Sequence, residues 1–339
     1  KSDYAATEPL FKKYHAYSEK MYSLAPNGFN AIMELSYSHN SLGSLYLKQF
    51  NYIAAKQRFT KSLALKNKAL ELKPNNKNLL RDKADTISWL AKTEEKLGGF
   101  STTVNMLENA ASVVKEMTNR YPNDASLLYM SANIHMQQSY LLSYLADKRI
   151  AYQKALFANK MVSNALKQDF KDNKLQLMYY RSLAQLLMLS NDKNIEPKIE
   201  EIITFLKSQS FNNTRLINIK IALIQYFIDR NLPHKAQKLL TTLESNENYQ
   251  QLITKQVKIG DNLVLIRINL LKAKLAATSI QKDQFCLNAL QEIDKTVNTN
   301  QSILITYPQV QAYTCLNRAN EIPKIKARLV KLGINNFQL

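Results

Sequence analysis

Ala25-Pro26-Asn27-Gly28, Lys73-Pro74-Asn75-Asn76 and Tyr121-Pro122-Asn123-Asp124 are three copies of one polar turn, and their prolines fall 48 residues apart. Self-similarity at such a period marks a repeat array, in which each unit is one supersecondary brick too thin to bury its own apolar side. One further step of 48 lands on Phe170 within Asp169-Phe170-Lys171-Asp172-Asn173, a turn of the same character that has lost its proline. Positions between the turns keep this register. Phe11, Phe59, Leu107 and Ala155 form one series, Ala55, Thr103 and Ala151 a second, and Ser62, Ala110 and Ala158 a third.

Within a unit the apolar residues return to one helix face, as in Leu35, Leu42, Leu45 and Tyr46, then Ala55, Phe59, Leu63 and Leu70. The first break between helices is Gln49-Phe50-Asn51. The next is Leu97-Gly98-Gly99-Phe100-Ser101, where glycine ends one helix and Ser101 is placed to cap the following one. Each unit is therefore expected to be two antiparallel helices. The spacing predicts helices over 3–24, 30–48, 52–72, 77–97, 101–120, 124–145, 148–168 and 173–190. Beyond 190 the period fades, but helical patterns continue over 195–208, 213–230, 234–244, 248–258, 261–278, 282–297, 309–318 and 322–332. Two domains are expected, 1–190 with the regular repeats and 191–339 with degenerate hairpins. Ser190-Asn191-Asp192-Lys193-Asn194 reads as their joint, 298–308 as a loop, and Gly333 as the C-cap of a closing hairpin.

Composition supports helices and excludes several alternatives. Six Gly and 8 Pro among 339 residues are too few for a β-sandwich, which needs a turn signal every dozen positions or so. No apolar run reaches the roughly 18 residues of a membrane-spanning helix. Six glycines also leave no Gly-rich phosphate loop, and no Gly-x-Ser-x-Gly elbow is present. Cys286 and Cys315 read as separate buried small residues, with a disulfide as the alternative. His15, His39, His135 and His234 form no metal-ligand spacing, so His39 and His135 are read as hydrogen-bonded residues between helices. Cys286 paired with a remote His is the only nucleophilic arrangement that can be drawn, and no local motif supports it. Glu94-Glu95 and Glu200-Glu201 read as solvated pairs rather than a shared acid site, since neighbours on a helix point about 100° apart. Trp89 reads as core rather than as a ligand platform. No cofactor or metal is expected.

The chain carries 46 Lys and Arg against 27 Asp and Glu, a net charge of +19. Such a field raises nucleic acid, anionic lipid and acidic peptides as partners. Lysines dominate the cations, with 10 Arg in all, which weakens the case for base and phosphate reading by bidentate Arg. A nucleic-acid-binding helical module on the basic surface is the second reading of function.

The motifs resemble a tetratricopeptide repeat. Leu42-Gly43-x-x-Tyr46, Ala55, Phe59 and Pro74 match that family's small, large and helix-ending positions in order. The usual unit is about 34 residues long, and two insertions of about seven lengthen both helices by two turns without rotating the apolar face. Residues 3–24, with Phe11 at the Phe59 position, look like a second helix whose first helix is missing, which implies that the native protein continues upstream. Glu34-Leu35-Ser36-Tyr37 and Ala84-Asp85 with Trp89-Leu90-Ala91 look like repeat regions that follow bacterial serine/threonine kinase, winged-helix or signalling ATPase modules.

What the resemblance implies is an all-α, right-handed superhelix, an α-solenoid of antiparallel hairpins, acting as a non-enzymatic protein–protein interaction scaffold in bacterial signalling, in the cytoplasm or the periplasm. Its first helices would line a groove for a protein or peptide, with Asn40, Ser44 and Lys48, then Ser88, Lys92, Glu95 and Lys96, then Asn133, Met136, Tyr140 and Tyr144 facing the ligand. Lys, Asn and Tyr there suit an extended acidic segment. The family's carboxylate clamp has Lys where Asn40 stands, which argues against a receptor for chaperone tails.

Overall fold

The structure is a computed structural model and describes residues 4–145, 147–190, 197–209, 214–258, 262–296, 301–331 and 334. Among these residues there is no strand, and one α-helix stands for each expected segment. They are α1 (Tyr4–Leu24), α2 (Phe29–Lys48), α3 (Tyr52–Leu72), α4 (Lys77–Lys96), α5 (Phe100–Arg120), α6 (Ala125–Leu142), α7 (Arg149–Leu166) and α8 (Asn173–Leu189). The degenerate region adds α9 (Lys198–Lys207), α10 (Thr214–Asp229), α11 (Pro233–Glu244), α12 (Glu247–Lys258), α13 (Leu263–Leu275), α14 (Ser279–Asp294), α15 (Ile303–Cys315) and α16 (Ile322–Lys331). Successive helices pack on one another, α2 with α3, α4 with α5, α10 with α11 and α13 with α14, the brickwork of an α-solenoid.

The 48-residue register is a packing register. Phe59, Leu107 and Ala155 are completely buried, as are Ala55, Ala151, Ser62, Ala110 and Ala158, with Thr103 at 1%. Small residues at these places let two helix backbones approach, and a large side chain from the neighbouring helix fills the space. At Gly43 the approach is closest, since a Cβ there would stand 2.9 Å from the ring of Phe59. That ring lies nearly parallel to the Trp89 indole, with centroids 6.3 Å apart. Leu47, Tyr52, Ala55 and Leu90 close the cluster.

Both turn types recur. Between hairpins, Asn76, Asp124 and Asp172 follow one another at 48 residues, and each side chain accepts the backbone N–H three residues on, at 3.1, 3.1 and 3.0 Å. Within hairpins, Phe50 and Gly98 take a left-handed conformation two residues past the helix, with φ of 61° and 89°. The next N–H then reaches back to the helix, from Asn51 to Tyr46 O and from Gly99 to Glu94 O, both at 2.9 Å. Asn231 and Asn317 repeat this geometry with φ of 54° and 53°. Leu232 donates to Phe227 O at 2.8 Å and Arg318 to Tyr313 O at 3.0 Å. The backbone motif thus persists where the sequence period has faded.

Several expectations are corrected. Gly99, not Ser101, is the N-cap of α5; it has no side chain to make a cap bond, and Ser101 is already inside the helix. The 298–308 segment is not a loop throughout, since α15 begins at Ile303, capped by Ser302, and carries Pro308 within it. Proline deprives the helix of one donor only, and this apolar helix is held by burial of Ile303, Ile305, Val310 and Ala312. Glu94 and Glu95 are not solvated: they are 6% and 8% exposed and pair with Lys56 and Lys96. Cys286 and Cys315 form a disulfide, which joins α14 to the end of α15.

The compact units are 1–134 and 135–339, parting within α6 rather than at residue 190. One hydrophobic core runs from Ala155 and Leu183 through Ile202, Ile217 and Leu223 to Val264 and Leu271, so residues 190–194 do not interrupt it. Asn191–Asn194 and Gly333 lie outside the described residues.

Replacing Gly43 by Ala is expected to cost about 1–3 kcal/mol by overpacking against Phe59. Phe59→Leu in that background should cost less than it does alone, as read by urea unfolding. Reducing the disulfide releases a loop of 29 residues and is expected to remove about 3.6 kcal/mol from unit 135–339. Thermal melts with and without reductant measure it, and the Cys286→Ser variant should be insensitive to reductant.

Candidate functional site

In unit 1–134, three of the expected residues share one place. Asn40, Ser44 and Lys48 of α2 line an open pocket of about 420 Å³ together with Tyr37, Ser41 and Leu45 of the same helix and Thr7 and Phe11 of α1. The Tyr37 hydroxyl donates to Asp82 Oδ2 at 2.9 Å, and burial together with that bond pushes the phenol up to about 12. Beneath lies Lys66, 1% exposed, donating to Ser62 Oγ at 3.0 Å and Thr86 Oγ1 at 2.8 Å. Its ammonium also lies 5.7 Å from the centre of the Tyr37 ring. Burial pulls this lysine down to about 8. Thr86 Oγ1 stands 3.3 Å from Asn40 Oδ1, which ties the expected groove residue to the buried lysine.

On α4, Ser88 is half-buried and its hydroxyl donates to Ala84 O at 3.0 Å, so it is committed to its own helix. Lys92 is exposed, its ammonium 5.2 Å from the Trp89 ring centre. Lys96 is held by Glu95 at 3.1 Å. Trp89 is half-buried rather than core, and its Nε1 donates to Asp85 Oδ2 at 3.1 Å. Asp85 is open to water yet crowded by protein, and that crowding raises its carboxyl above the ordinary range. Asn133 is half-buried, whereas Met136 is completely buried and does not face a groove.

In unit 135–339, first-type helices stand in a row. Gln185 of α8 donates to Ser139 of α6 at 3.3 Å, α8 packs beside α10, α10 beside α13, and α13 beside α15. Tyr144, just past α6, meets Tyr307 of α15 edge to face at 5.1 Å, so the row bends back on itself. Along this row three cations are held by neutral partners. Arg181 lies over Tyr140 at 5.7 Å. Arg267 donates to Asn218 Oδ1 at 2.9 Å and Lys274 to Gln225 Oε1 at 3.2 Å. Lys274 is exposed to water, yet surrounding protein lowers its ammonium pKa, with Asp229 opposing and Lys148 adding to the effect.

Tyr140 meets Arg181 and Tyr144 meets Tyr307, and the same row holds Arg267 and Lys274; sequence reasoning missed Arg181, Tyr307, Arg267 and Lys274. A signal existed. Tyr37, Asp85, Asn133 and Arg181 form a 48-residue series whose members are all accessible, while in the series of Asn40, Ser88 and Met136 the first two are half-buried and the third is buried. Asn218 with Gln225 and Arg267 with Lys274 are two polar pairs at i, i+7 in otherwise apolar helices, offset by 49.

A larger cleft of about 670 Å³ lies along α8 and α9, with Tyr179, Tyr180 and Phe205 as its aromatic wall and Glu200 and Glu201 on its rim. Tyr180 and Phe205 stack at 3.9 Å, and Lys198 pairs with Glu201 at 2.9 Å. Among the described residues no three His, Cys, Asp or Glu side chains gather as a metal site. The disulfide leaves Cys286 with no free thiol.

His15 and His39 are buried together, rings 4.5 Å apart, where α1, α2 and α3 meet. Arg58 Nη1 lies 2.8 Å from His15 Nε2 and 3.3 Å from His39 Nδ1, which requires both imidazoles to accept and therefore to be neutral. His15 Nδ1 then donates to Ser38 Oγ at 2.9 Å. Burial, together with Arg58 and Lys61, lowers both pKa values, that of His39 to about 3, with Glu19 alone opposing at His15. In the unfolded chain these groups titrate near 6.5. Unfolding therefore takes up protons below that pH, and the stabilisation present above 6.5 is lost as pH falls toward 3. Unfolding free energy is expected to fall between pH 7 and 5 by up to about 1.4 kcal/mol per pH unit for each proton. The His39→Leu variant should show a shallower dependence in urea titrations.

No protein-family model matches the sequence, and no curated protein does. Among solved structures, the chain is similar to a circular tandem repeat protein with novel repeat topology and enhanced subunit contact surfaces. That match is 12% identical, covers 97% of this chain and 86% of the other, and has a TM-score of 0.31, a level that bears on neither function nor partner.

Proposed function

We propose that the chain is a non-enzymatic protein–protein interaction scaffold and that the first-helix face of unit 135–339 holds an extended acidic polypeptide segment. The observation that carries this is the trio of Arg181, Arg267 and Lys274. Each is oriented by a neutral partner, and among the described residues none of the three forms an ion pair with a carboxylate. A neutral partner fixes the direction of a cation without discharging it, which is the arrangement that favours an incoming carboxylate. Unit 135–339 has 28 Lys and Arg against 15 Asp and Glu, so the wider field attracts the same ligand. Tyr140, Tyr144 and Tyr307 supply rigid contact area at low entropic cost. In unit 1–134, Lys48 and Lys92 offer a lesser version of the same surface. Placement of the module in a bacterial signalling protein is the finer reading, supported by the motif resemblance around Leu42-Gly43 and Trp89.

A labelled glutamate-rich peptide of about ten residues is expected to bind saturably, and better than a Gln-rich control. Arg181→Gln, Arg267→Gln and Lys274→Gln should each weaken it about tenfold to a hundredfold, as charge-assisted contacts of about 1.5–3 kcal/mol require. Fluorescence anisotropy is the readout. Equal binding of both peptides, or tighter binding of single-stranded DNA with a steep salt dependence, would overturn the proposal in favour of phosphate attraction.

A further inference from the structure

We infer that the cleft along α8 and α9 binds a small quaternary ammonium compound, with Phe170, Tyr179, Tyr180 and Phe205 against its methyl groups and Glu200 and Glu201 against its charge. The inference is independent of the acidic-segment reading above, which concerns a ligand of the opposite charge. It starts from a break in the repeat. Ser36, Ala84, Ala132 and Tyr180 are 48-residue equivalents on α2, α4, α6 and α8, and the first three are small and completely buried. Ser36 shows what the small residue does, since its hydroxyl meets that of Ser62 of α3 at 3.0 Å, where the two helices of one hairpin touch. In the fourth hairpin Tyr180 puts a phenol at that contact. Its ring stacks on Phe205 of α9 with centroids 3.9 Å apart, so it holds α9 off α8 and opens the cleft of about 670 Å³.

A second departure supplies another ring. Phe170 stands where Pro26, Pro74 and Pro122 stand in the earlier turns, is 71% exposed and lines the cleft. A ring so open to water contributes little to the core. Tyr179 and Tyr180 meet at 77° with centroids 5.2 Å apart, which gives two adjoining walls. Ring faces attract a cation most where it has shed its water. A quaternary ammonium sheds it at low cost, having no N–H to leave unsatisfied against an apolar wall. Charge selects the same ligand. Unit 135–339 has 28 Lys and Arg against 15 Asp and Glu, yet no Lys or Arg lines the cleft and two Glu do. Carboxylates in the first turn of α9 suit the helix dipole on their own, and it is the aromatic wall beside them that makes a cation site. Burial raises the Tyr179 and Tyr180 phenols, with Glu201 adding to the effect at both and Lys198 opposing it, so this carboxylate acts on the wall itself. The exposed ammonium of Lys198 pairs with Glu201 at 2.9 Å, a surface contact weak enough for a ligand to displace. Among the described residues Glu200 has no such cation.

The test titrates the full chain with choline, followed by calorimetry and by proton NMR of the N-methyl groups. Saturable binding is expected, with the bound methyl signal moved upfield by the ring currents. Glu200→Gln and Phe170→Ala, both at exposed positions, should each weaken it about fivefold or more. Tyr180→Ala, which restores the small residue of the earlier hairpins, should abolish it, with far-UV circular dichroism verifying that the helices are kept. Lys198→Ala should tighten it, because Glu201 is then free, and Arg267→Gln should leave it unchanged. Absence of binding overturns the inference, as does undiminished binding to both the Glu200→Gln and Phe170→Ala chains. So does equal binding of the neutral carbon isostere, in which a tert-butyl group replaces the trimethylammonium. A trimethyllysine peptide that binds where choline does not would also overturn it, since the occupant would then be a modified polypeptide. Failure of the glutamate-peptide titration leaves these outcomes unaffected.

Discussion

The close approach of helix backbones at small residues is the constraint on which the rest depends. Gly43 admits the ring of Phe59 at van der Waals distance, and Ala55, Ser62, Thr103 and Ala110 do similar service along the later helices. Because a brick of two helices has only one buried side, this fit has to recur at a fixed interval, and the interval becomes the period of the sequence. The caps at Asn76, Asp124 and Asp172 and the left-handed residues at Phe50 and Gly98 set the direction in which each helix leaves its turn. Packing and turns thus carry the same number.

The fold was legible because its determinants are local. Leu42, Ala55, Phe59 and Pro74 declare their roles by spacing, and even the degenerate half shows its helices by apolar periodicity. What was not legible depended on contacts between distant residues or on rotational phase. Met136 was assigned to a groove by counting from Asn40, but over helices of five turns a small phase error moves a residue from surface to core, and Met136 is buried. Pro308 suggested a break, yet the burial of its neighbours outweighs one missing donor. The pairing of Cys286 with Cys315 is a relation between α14 and α15 that spacing alone does not reveal. Of the candidate site, Tyr140 and Tyr144 were read from the register. Arg267 and Lys274 lay beyond it, where the interval had shifted to 49.

Charge is treated differently in the two units. In 1–134, ionisable groups are drawn into the packing: Lys66 among hydroxyls, Glu94 against Lys56, and a neutral histidine pair under Arg58. Such groups fix relative helix positions at the cost of desolvation. In 135–339, Arg181, Arg267 and Lys274 remain at the surface with neutral anchors. The second unit also buries a cation, Lys220, whose ammonium is pulled down by burial to about 8.

Trp89 is the sole tryptophan of the chain and, half-buried, stacks on Phe59 in the first unit. Its emission therefore reports the solvent environment of that unit alone, while the disulfide offers a chemical handle confined to the other. The molecule thus contains its own pair of orthogonal probes, so the order in which its halves lose structure can be followed without attaching any dye.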